Sequence, residues 1–341
     1  MQEKQTIVEE KESKSSMMEE NMKYISLAML IVMNTAQVIF MRYARTVSAE
    51  TYNSMTAVIM GEVMKIIMSF LLMVNDNRSA HKAVSALVEQ ARENTREVFF
   101  QSVPALLYTI QNFFMYVAIS NLDAGIFQIC TRMKILITAL LSVLILGKKL
   151  RFLQWVSLFL LVLGVIIIKG VSGGKTSENM NFTVGFVAVL ISSTSSSLAG
   201  VFMEKMFKDR KLTVWNRNFW LAVWSFVVGF TSAVVQNPQI VYPSVFFKNY
   251  NIWAWIAITL LAVGGLVIGL VLKYADNILK AFAGSASILF STLISCMLFH
   301  TKITARFGVG AAIVMVAVVL YSYGAKGVQY KPLSKVETPS V

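Results

Sequence analysis

Apolar segments of about twenty residues recur along this chain, and they limit its fold more than any other feature. Each segment is long enough to cross a hydrocarbon core of about 30 Å as a helix. The segments do not alternate apolar and polar residues, as the strands of a membrane barrel do. Of the residues, 56% are hydrophobic and only 14% are charged, whereas a soluble domain carries about 25% charged residues. The sequence therefore predicts an all-α polytopic membrane protein.

Ten transmembrane helices are predicted from these segments. They cover residues 24–42, 53–74, 98–119, 124–146, 152–170, 182–203, 216–235, 252–272, 279–299 and 306–324. The longest connection, 75–97, is charged and is expected to lie as a helix on the surface. Residues 1–23 and 325–341 are polar. Both are expected to be tails, the first of them disordered.

Basic residues are unevenly divided between the two sides of the predicted membrane. With a cytosolic amino terminus, about 21 Lys and Arg fall on the cytosolic side and about seven on the other. Such an excess marks the cytosolic loops of membrane proteins, so both termini are predicted to be cytosolic. The net charge of +13 has the same explanation and does not indicate a nucleic-acid-binding protein.

The two halves of the chain share a repeat at a constant shift of about 153 residues. The shift aligns Asn121-Leu-Asp123, Thr138-Ala-Leu-Leu-Ser142 and Lys149 with Tyr274-Ala-Asp276, Ser291-Thr-Leu-Ile-Ser295 and Lys302. An odd number of spans in each half inverts the second copy. Residues 24–170 and 182–324 are therefore predicted to form a 5+5 inverted repeat with a binding site near the membrane midplane. The alternative is a chance similarity between two helices rich in Leu and Ser.

Lys280 stands near the start of an apolar segment that carries no further charge until Lys302. A charge at the centre of a bilayer costs about 2.5–3.5 kcal/mol on insertion scales, so it usually faces a partner or a watery cavity. Asp276 lies four residues earlier, on the same helical face. The repeat aligns Lys280 with Phe127, so the cation is specific to the second half. We therefore predict that Lys280 is an anchor for an anion.

The third segment carries a polar stripe on an otherwise apolar helix. Its members are Tyr108, Gln111, Asn112 and Tyr116, which share one helical face. Polar side chains in lipid need partners. Two interpretations stay open, namely hydrogen bonding between helices and a ledge on which a planar base stacks while the amides read its edge.

Arg132 and Lys134 lie near the beginning of the fourth segment. Positions two apart diverge by about 200° around a helix, so the two side chains do not share a face. One of them is expected to reach toward the membrane surface. Lys134 precedes an uncharged run and is the candidate to offer a point charge to phosphate.

Glu62 and Lys65 form an i, i+3 pair in the second segment. Mutual neutralisation is the simpler interpretation, and a gating or proton-linked role is the other. The sixth segment contains Ser192–Ser197 and Gly200, which suit a close helix crossing and could also line a polar cavity. In the seventh segment, Arg217 is expected to anchor at the interface and Asn218 to point inward.

Signatures of catalysis are missing from the sequence. The only histidines are His81 and His300, too few for a histidine-rich metal site or a histidine-based triad. No Walker-type loop that would bind ATP is present. We therefore expect neither an enzyme nor a protein with a metal or cofactor.

Several segments resemble the nucleotide-sugar transporters of the drug/metabolite transporter superfamily, especially the branch carrying UDP-galactose, UDP-N-acetylglucosamine and CMP-sialic acid. The resemblance covers about residues 23–324. It is carried by Lys23-Tyr-Ile-Ser-Leu, Met41-Arg-Tyr-Ala-Arg45, Ala57-Val-Ile-Met-Gly-Glu-Val-Met-Lys65, Val103-Pro-Ala-Leu-Leu-Tyr108, Gln111-Asn112, Ser120-Asn-Leu-Asp-Ala124, Lys134-Ile-Leu-Ile-Thr-Ala139, and Gly264-Gly265 leading into Lys273-Tyr-Ala-Asp-Asn-Ile-Leu-Lys280.

The resemblance implies a ten-helix protein of the Golgi or endoplasmic reticulum membrane. It implies exchange of a cytosolic nucleotide sugar for a lumenal nucleoside monophosphate. It also implies that the residues matching the family's cavity line the substrate site here: Tyr108, Asn112, Lys134, Ser196, Gly200, Asn218 and Lys280. Gln111, from the polar stripe, joins this set as a candidate.

This chain departs from the family pattern around the predicted base and sugar end of the cavity. The family usually has Tyr-Gln-Val-Thr-Tyr-Gln-Leu-Lys where this chain has Phe127 to Lys134, so that Phe127 and Thr131 replace tyrosines and Arg132 adds a cation. Trp220 stands where a Gln is usual, and Ala281 where a Gly is usual. The departures affect the expected substrate more than the expected phosphate site.

A UDP-sugar/UMP antiporter is the leading hypothesis, with galactose or N-acetylglucosamine ahead of other sugars. The first alternative is a carrier of another nucleotide sugar, such as CMP-sialic acid. The second is a transport-silent scaffold for glycosyltransferases, although a scaffold has no use for two cations at membrane depth. The sequence leaves open whether the chain forms a homodimer or associates with glycosyltransferases.

Overall fold

The computed structural model describes residues 2–47, 52–122, 127, 130–169, 181–208, 212–299 and 305–325. Within these ranges the regular structure is helical, and no β-strand occurs among them. The all-α prediction is therefore confirmed for the part of the chain that the structure describes. The tail at 326–341 and the aligned residues Asp123 and Lys302 lie outside it.

The helices follow one another with short connections. They are α1 (Gln2–Val47), α2 (Ser54–Asn77), α3 (Ala80–Glu93), α4 (Thr95–Phe100), α5 (Ser102–Asn121), α6 (Lys134–Leu146), α7 (Phe152–Lys169), α8 (Phe182–Lys208), α9 (Val214–Gln236), a 3₁₀ turn (Pro238–Val241), α10 (Pro243–Phe246), α11 (Ile252–Tyr274), α12 (Asn277–Phe299) and α13 (Ala305–Ala325).

Each predicted apolar segment overlaps one of the longer helices. Five helical stretches are long and apolar enough to cross a membrane, namely Met18–Phe40, Ser54–Asn77, Phe182–Lys208, Val214–Gln236 and Ile252–Tyr274. Shorter apolar stretches lie in α7 and α13. The charged stretch after α2 forms α3 and α4, as expected for a surface helix.

Two boundaries differ from the predictions. The structure makes residues 2–23 the first part of α1, where a disordered tail was expected. Gln, Glu, Lys and Met are good helix formers, and extending an existing helix needs no new nucleus. The described part of the fourth segment contains a turn at Met133, and α6 begins only at Lys134.

α8 is the most buried of the long helices and packs against α5, α6 and α11. Its serines explain how the helices come so close. The Ser192 hydroxyl donates to the Gln111 carbonyl of α5 at 3.1 Å. The Ser197 hydroxyl donates to the Lys134 carbonyl of α6 at 3.2 Å and accepts from the Thr138 hydroxyl at 2.8 Å. The predicted close crossing is confirmed.

The remaining long helices pack in pairs around this centre. α1 packs against α11 and α12, α2 against α9 and α11, and α7 against α13. Gly147 ends α6 with a φ of 64°, a backbone conformation that favours glycine. Because the chain turns there, Lys148 points back into the protein and is 5% exposed.

Candidate functional site

The N-terminus of α12 carries the most distinctive charge in the chain, Lys280. Asp276 precedes the helix and caps it, because its Oδ1 accepts from the Leu279 backbone N–H at 2.7 Å. Lys280 lies one turn into the helix and is half-buried. No carboxylate among the described residues lies within salt-bridge distance of its amino group. Asp276, its neighbour on the sequence, has a different partner.

That partner is Lys148, which follows α6. Its Nζ lies 3.5 Å from Asp276 Oδ2 and 2.7 Å from Glu204 Oε1. Glu204 is fully buried in the last turns of α8 and also bonds Lys208 at 2.6 Å. Its other oxygen accepts from the Asn277 backbone N–H at 3.0 Å, at the positive end of the α12 dipole. Two cations and two carboxylates thus neutralise one another.

We call Lys148, Glu204, Lys208 and Asp276 the charge network. The sequence analysis missed Lys148, Glu204 and Lys208. A carboxylate near the C-terminal end of an apolar helix is unfavourable to the helix dipole and calls for cations. The i, i+4 spacing of Glu204 and Lys208 was therefore a usable local signal. The pairing with Lys148 depends on the tertiary fold and left no such signal.

Asp276 stays ionised in this network although it is buried. Burial opposes ionisation of the carboxyl, but Lys148, the Leu279 backbone N–H, Lys208 and Lys23 outweigh it, and the pKa of Asp276 lies below its usual value. The network therefore holds a charge-assisted cap at the start of the helix that carries Lys280.

Lys134, at the first position of α6, is exposed and interacts electrostatically with Lys280. It also interacts with Arg132, which is half-buried. None of the three cations has a carboxylate within salt-bridge distance among the described residues. The helices α6 and α12 contact each other, and the two predicted lysines, one from each half of the chain, are within range of electrostatic interaction.

The polar stripe of α5 divides between two environments. The Tyr108 hydroxyl donates to Met203 Sδ at 3.6 Å, and its ring packs on a cluster that includes Phe207. Gln111 Oε1 is buried and has no hydrogen-bond partner among the described residues. Asn112 and the apolar residue Ile110 are both exposed, although their positions lie about 200° apart around the helix. The side chain of Tyr116 is outside what the structure describes.

Three further predicted residues lie on α8 and α9. Ser196 and Asn218 are buried, and Ser196 Oγ and Asn218 Nδ2 have no hydrogen-bond partner in the described part of the chain. Gly200 faces the start of α12, where a β-carbon would overlap the Asn277 amide. Asn218 packs in the same way on Gly269 of α11. These glycines let two pairs of helices, α8 with α12 and α9 with α11, approach closely.

Arg217 corrects one prediction. An anchor at the membrane interface would be exposed, but Arg217 is 1% exposed. Its Nη1 lies 3.9 Å from Glu97 Oε2 of α4. Because α4 covers the beginning of α9, the guanidinium is enclosed between helices. Nearby, the Trp220 indole N–H donates to Gln90 Oε1 of α3 at 3.1 Å, so Trp220 holds a surface helix in place.

Glu62 and Lys65 form the expected ion pair, with Lys65 Nζ 2.6 Å from Glu62 Oε2. The Lys65 stem packs on Gly265 of α11. The pair thus joins α2 to α11, one helical turn from the contact between Asn218 and Gly269.

The arrangement is suited to binding an anion with a planar, polar group attached. Two lysines without carboxylate partners supply the charge, and unpartnered polar atoms of Gln111, Ser196 and Asn218 supply hydrogen bonds. A buried polar atom without a partner costs about 1–3 kcal/mol, so a ligand that bonds these atoms gains affinity. The described residues contain no cluster of three His, Cys, Asp or Glu that could hold a metal ion.

Comparison with known proteins gives a consistent match. The family model described as nucleotide-sugar transporter matches residues 18–322. The UDP-N-acetylglucosamine transporter of Homo sapiens is 40% identical over 315 residues, which are 90% of this chain and 97% of that protein. The UDP-N-acetylglucosamine transporter of Canis lupus familiaris is 39% identical over 318 residues, which are 91% of this chain and 98% of that protein.

A second kind of relative matches at the same level. The UDP-galactose translocator of Homo sapiens is 41% identical over 305 residues, 88% of this chain and 77% of that protein. One solved crystal structure superposes with a TM-score of 0.64 over 88% of this chain and 96% of the other, at 12% identity. At that identity the likeness concerns the fold alone.

Proposed function

This chain belongs to the nucleotide-sugar transporter family, and we propose that it exchanges a cytosolic UDP-sugar for lumenal UMP across the Golgi membrane. The family match spans most of the chain, and similar proteins are named for UDP-N-acetylglucosamine and UDP-galactose. Residence in the endoplasmic reticulum is the alternative location. UDP-galactose and UDP-N-acetylglucosamine are the favoured substrates.

The observation that carries the proposal is the pair Lys134 and Lys280. The two amino groups carry like charges and repel each other. Neither has a carboxylate partner among the described residues. A diphosphate carries two negative charges and would relieve this repulsion. Lysine is suited to the task as a compact point charge.

The other predicted residues support a place for the nucleoside next to the phosphates. The base stacks near the Tyr108 ring, and the unpartnered polar atoms of Gln111, Ser196 and Asn218 bind its edge and the ribose. In the proposed site the exposed Asn112 amide contacts the same ligand. Gly200 lets α8 approach α12 closely. Residues of both helices can therefore contact one ligand.

The transport cycle depends on the opposed concentration gradients of two ligands, UDP-sugar and UMP. UDP-sugar and UMP share the uridine and a phosphate, so one site binds both in turn. Sugar transfer in the lumen consumes UDP-sugar and leads to UMP, and the opposed gradients drive exchange without ATP. A site between inverted halves becomes accessible from each side when the halves rock against each other. Glu62 and Lys65, which join α2 to α11, stabilise one of these arrangements.

The proposed membrane arrangement has ten spans in a 5+5 inverted repeat, with both termini in the cytosol. The helices α1, α2, α5–α9 and α11–α13 are the spans. The excess of Lys and Arg in the loops on one side supports this orientation.

Exchange by purified protein in liposomes tests the proposal. Liposomes loaded with UMP, CMP, GMP or buffer are given labelled UDP-galactose or UDP-N-acetylglucosamine outside. We expect uptake that depends on internal UMP and clearly exceeds uptake into buffer-loaded liposomes. Uptake driven by CMP or GMP but not UMP would contradict the UMP assignment. Absence of exchange with every nucleotide would contradict transport.

A further inference from the structure

Arg132 is a third cation beside the two lysines, and the proposed function does not use it. It lies two residues before Lys134 and interacts with it electrostatically. Its side chain is half-buried, and its Nε is fully covered without a hydrogen-bond partner in the described part of the chain. A buried guanidinium nitrogen without a partner is costly, so the site is incomplete as it stands.

The nearby carboxylates do not supply the missing charge. Glu204 interacts with Lys280, but its oxygens bond Lys148, Lys208 and the Asn277 backbone N–H. Asp276 bonds Lys148 and the Leu279 backbone N–H. Because the charge network is neutral by itself, it leaves Arg132, Lys134 and Lys280 without a compensating carboxylate among the described residues.

A UDP-sugar with a neutral sugar brings two negative charges, on its diphosphate. Lys134 interacts electrostatically with both Arg132 and Lys280. A diphosphate held by Lys134 and Lys280 therefore leaves Arg132, with its covered and unpartnered Nε, without a negatively charged partner within the described ranges. The planar guanidinium can bind the two oxygens of a carboxylate at once, which a lysine cannot do.

We infer that Arg132 binds a carboxylate on the sugar, so that the protein carries UDP-hexuronates in preference to the corresponding neutral UDP-hexoses. This inference rests on the proposed function and narrows its substrate class. Neutral sugars remain substrates, because the two lysines are sufficient for the diphosphate. The carboxylate of an acidic sugar adds a third negative charge to the two of the diphosphate. Its two oxygens lie in one plane and can accept hydrogen bonds from the Arg132 guanidinium.

UDP-glucuronate and UDP-glucose are the matched probes, because they differ only in a carboxylate against a hydroxymethyl group at C6. Uptake of each into UMP-loaded liposomes is measured with the wild type, Arg132→Gln and Arg132→Lys. We expect the wild type to favour UDP-glucuronate about tenfold. Arg132→Gln should bring the ratio close to one, and Arg132→Lys, which keeps the charge without the planar pair, should give a ratio in between. Lys149→Gln, at an exposed site, should keep the wild-type ratio.

The ratio separates binding of the carboxylate from a structural role. An equal fall of both uptakes in Arg132→Gln would show that Arg132 supports the fold or the phosphates, and would overturn the inference. If the wild type took up UDP-glucuronate no faster than UDP-glucose, the inference would be overturned without any variant. If the wild type exchanges UDP-galactose or UDP-N-acetylglucosamine but does not favour UDP-glucuronate, only this inference fails. If it exchanges no nucleotide sugar, the proposed function fails as well.

Discussion

Asp276 and Lys280 show how two charges four residues apart acquire different tasks. On the sequence they share a helical face and could have paired with each other. In the structure Asp276 caps α12 and bonds Lys148, whereas Lys280 has no carboxylate within salt-bridge distance among the described residues. The acid stabilises the fold, and in the proposed function the base binds the ligand.

The lowered pKa of Asp276 predicts how stability depends on pH. A carboxyl with a lower pKa in the folded state binds fewer protons there than in the unfolded state. Its stabilisation is complete above the ordinary value of 3.8 and is lost as the pH falls through that value toward the folded pKa. We therefore expect the melting temperature in detergent to fall between about pH 5 and pH 3.

Asp276→Asn isolates this effect, because asparagine still caps a helix but carries no charge. The variant should melt several degrees below the wild type at pH 7 and should lose less stability on acidification. If the two proteins had parallel melting curves against pH, the acid sensitivity would belong to other carboxyls.

The charge network ties three elements together where α6 and α8 end and α12 begins. Glu204 of α8 contacts Lys148 after α6 and the backbone of α12. Lys148 and Lys149 are neighbours on the sequence, yet one is buried and the other is exposed, because Gly147 turns the chain. Identical substitutions at the two positions therefore compare a network cation with a solvated one.

Lys148→Gln should lower the melting temperature markedly at neutral pH, because it leaves Glu204 and Asp276 buried with less compensation. Removing one partner of a buried ion pair costs about 3–5 kcal/mol. Lys149→Gln should change stability by no more than about 0.5 kcal/mol, as exposed substitutions usually do. Thermal melts of the two variants in the same detergent make the comparison. Equal melting temperatures for both variants would contradict the buried network.

For the whole molecule, hydropathy was sufficient to predict where the long helices lie, because each helix must satisfy its own backbone in a membrane. Polarity within apolar segments indicated Lys134, Lys280 and the α5 stripe as candidate site residues. Sequence could not predict that Asp276 pairs with Lys148, or that Arg217 is enclosed by α4. Those contacts depend on how distant helices pack.

The turn at Met133 was also missed, because the predicted segment runs from residue 124 to residue 146 through Arg132 and Lys134. It means that α6 starts with Lys134 rather than ten residues earlier. Met133 itself has a φ of −57° and a ψ of −22°, so the divergence of Arg132 and Lys134 expected for a regular helix still applies to the backbone, although the two cations interact electrostatically.

The central claim is that two amino groups, one from each half of the chain, bind one diphosphate, and UDP binding tests it most directly. Competition binding of UDP and of uridine is measured for the wild type, Lys134→Gln, Lys280→Gln and the control Lys149→Gln. Removing a charged hydrogen-bond partner costs about 1.5–3 kcal/mol. We therefore predict that each of the first two variants weakens UDP binding about tenfold or more while uridine binding stays at the wild-type level. Wild-type UDP affinity in either variant, or an equal loss for uridine, would contradict the claim.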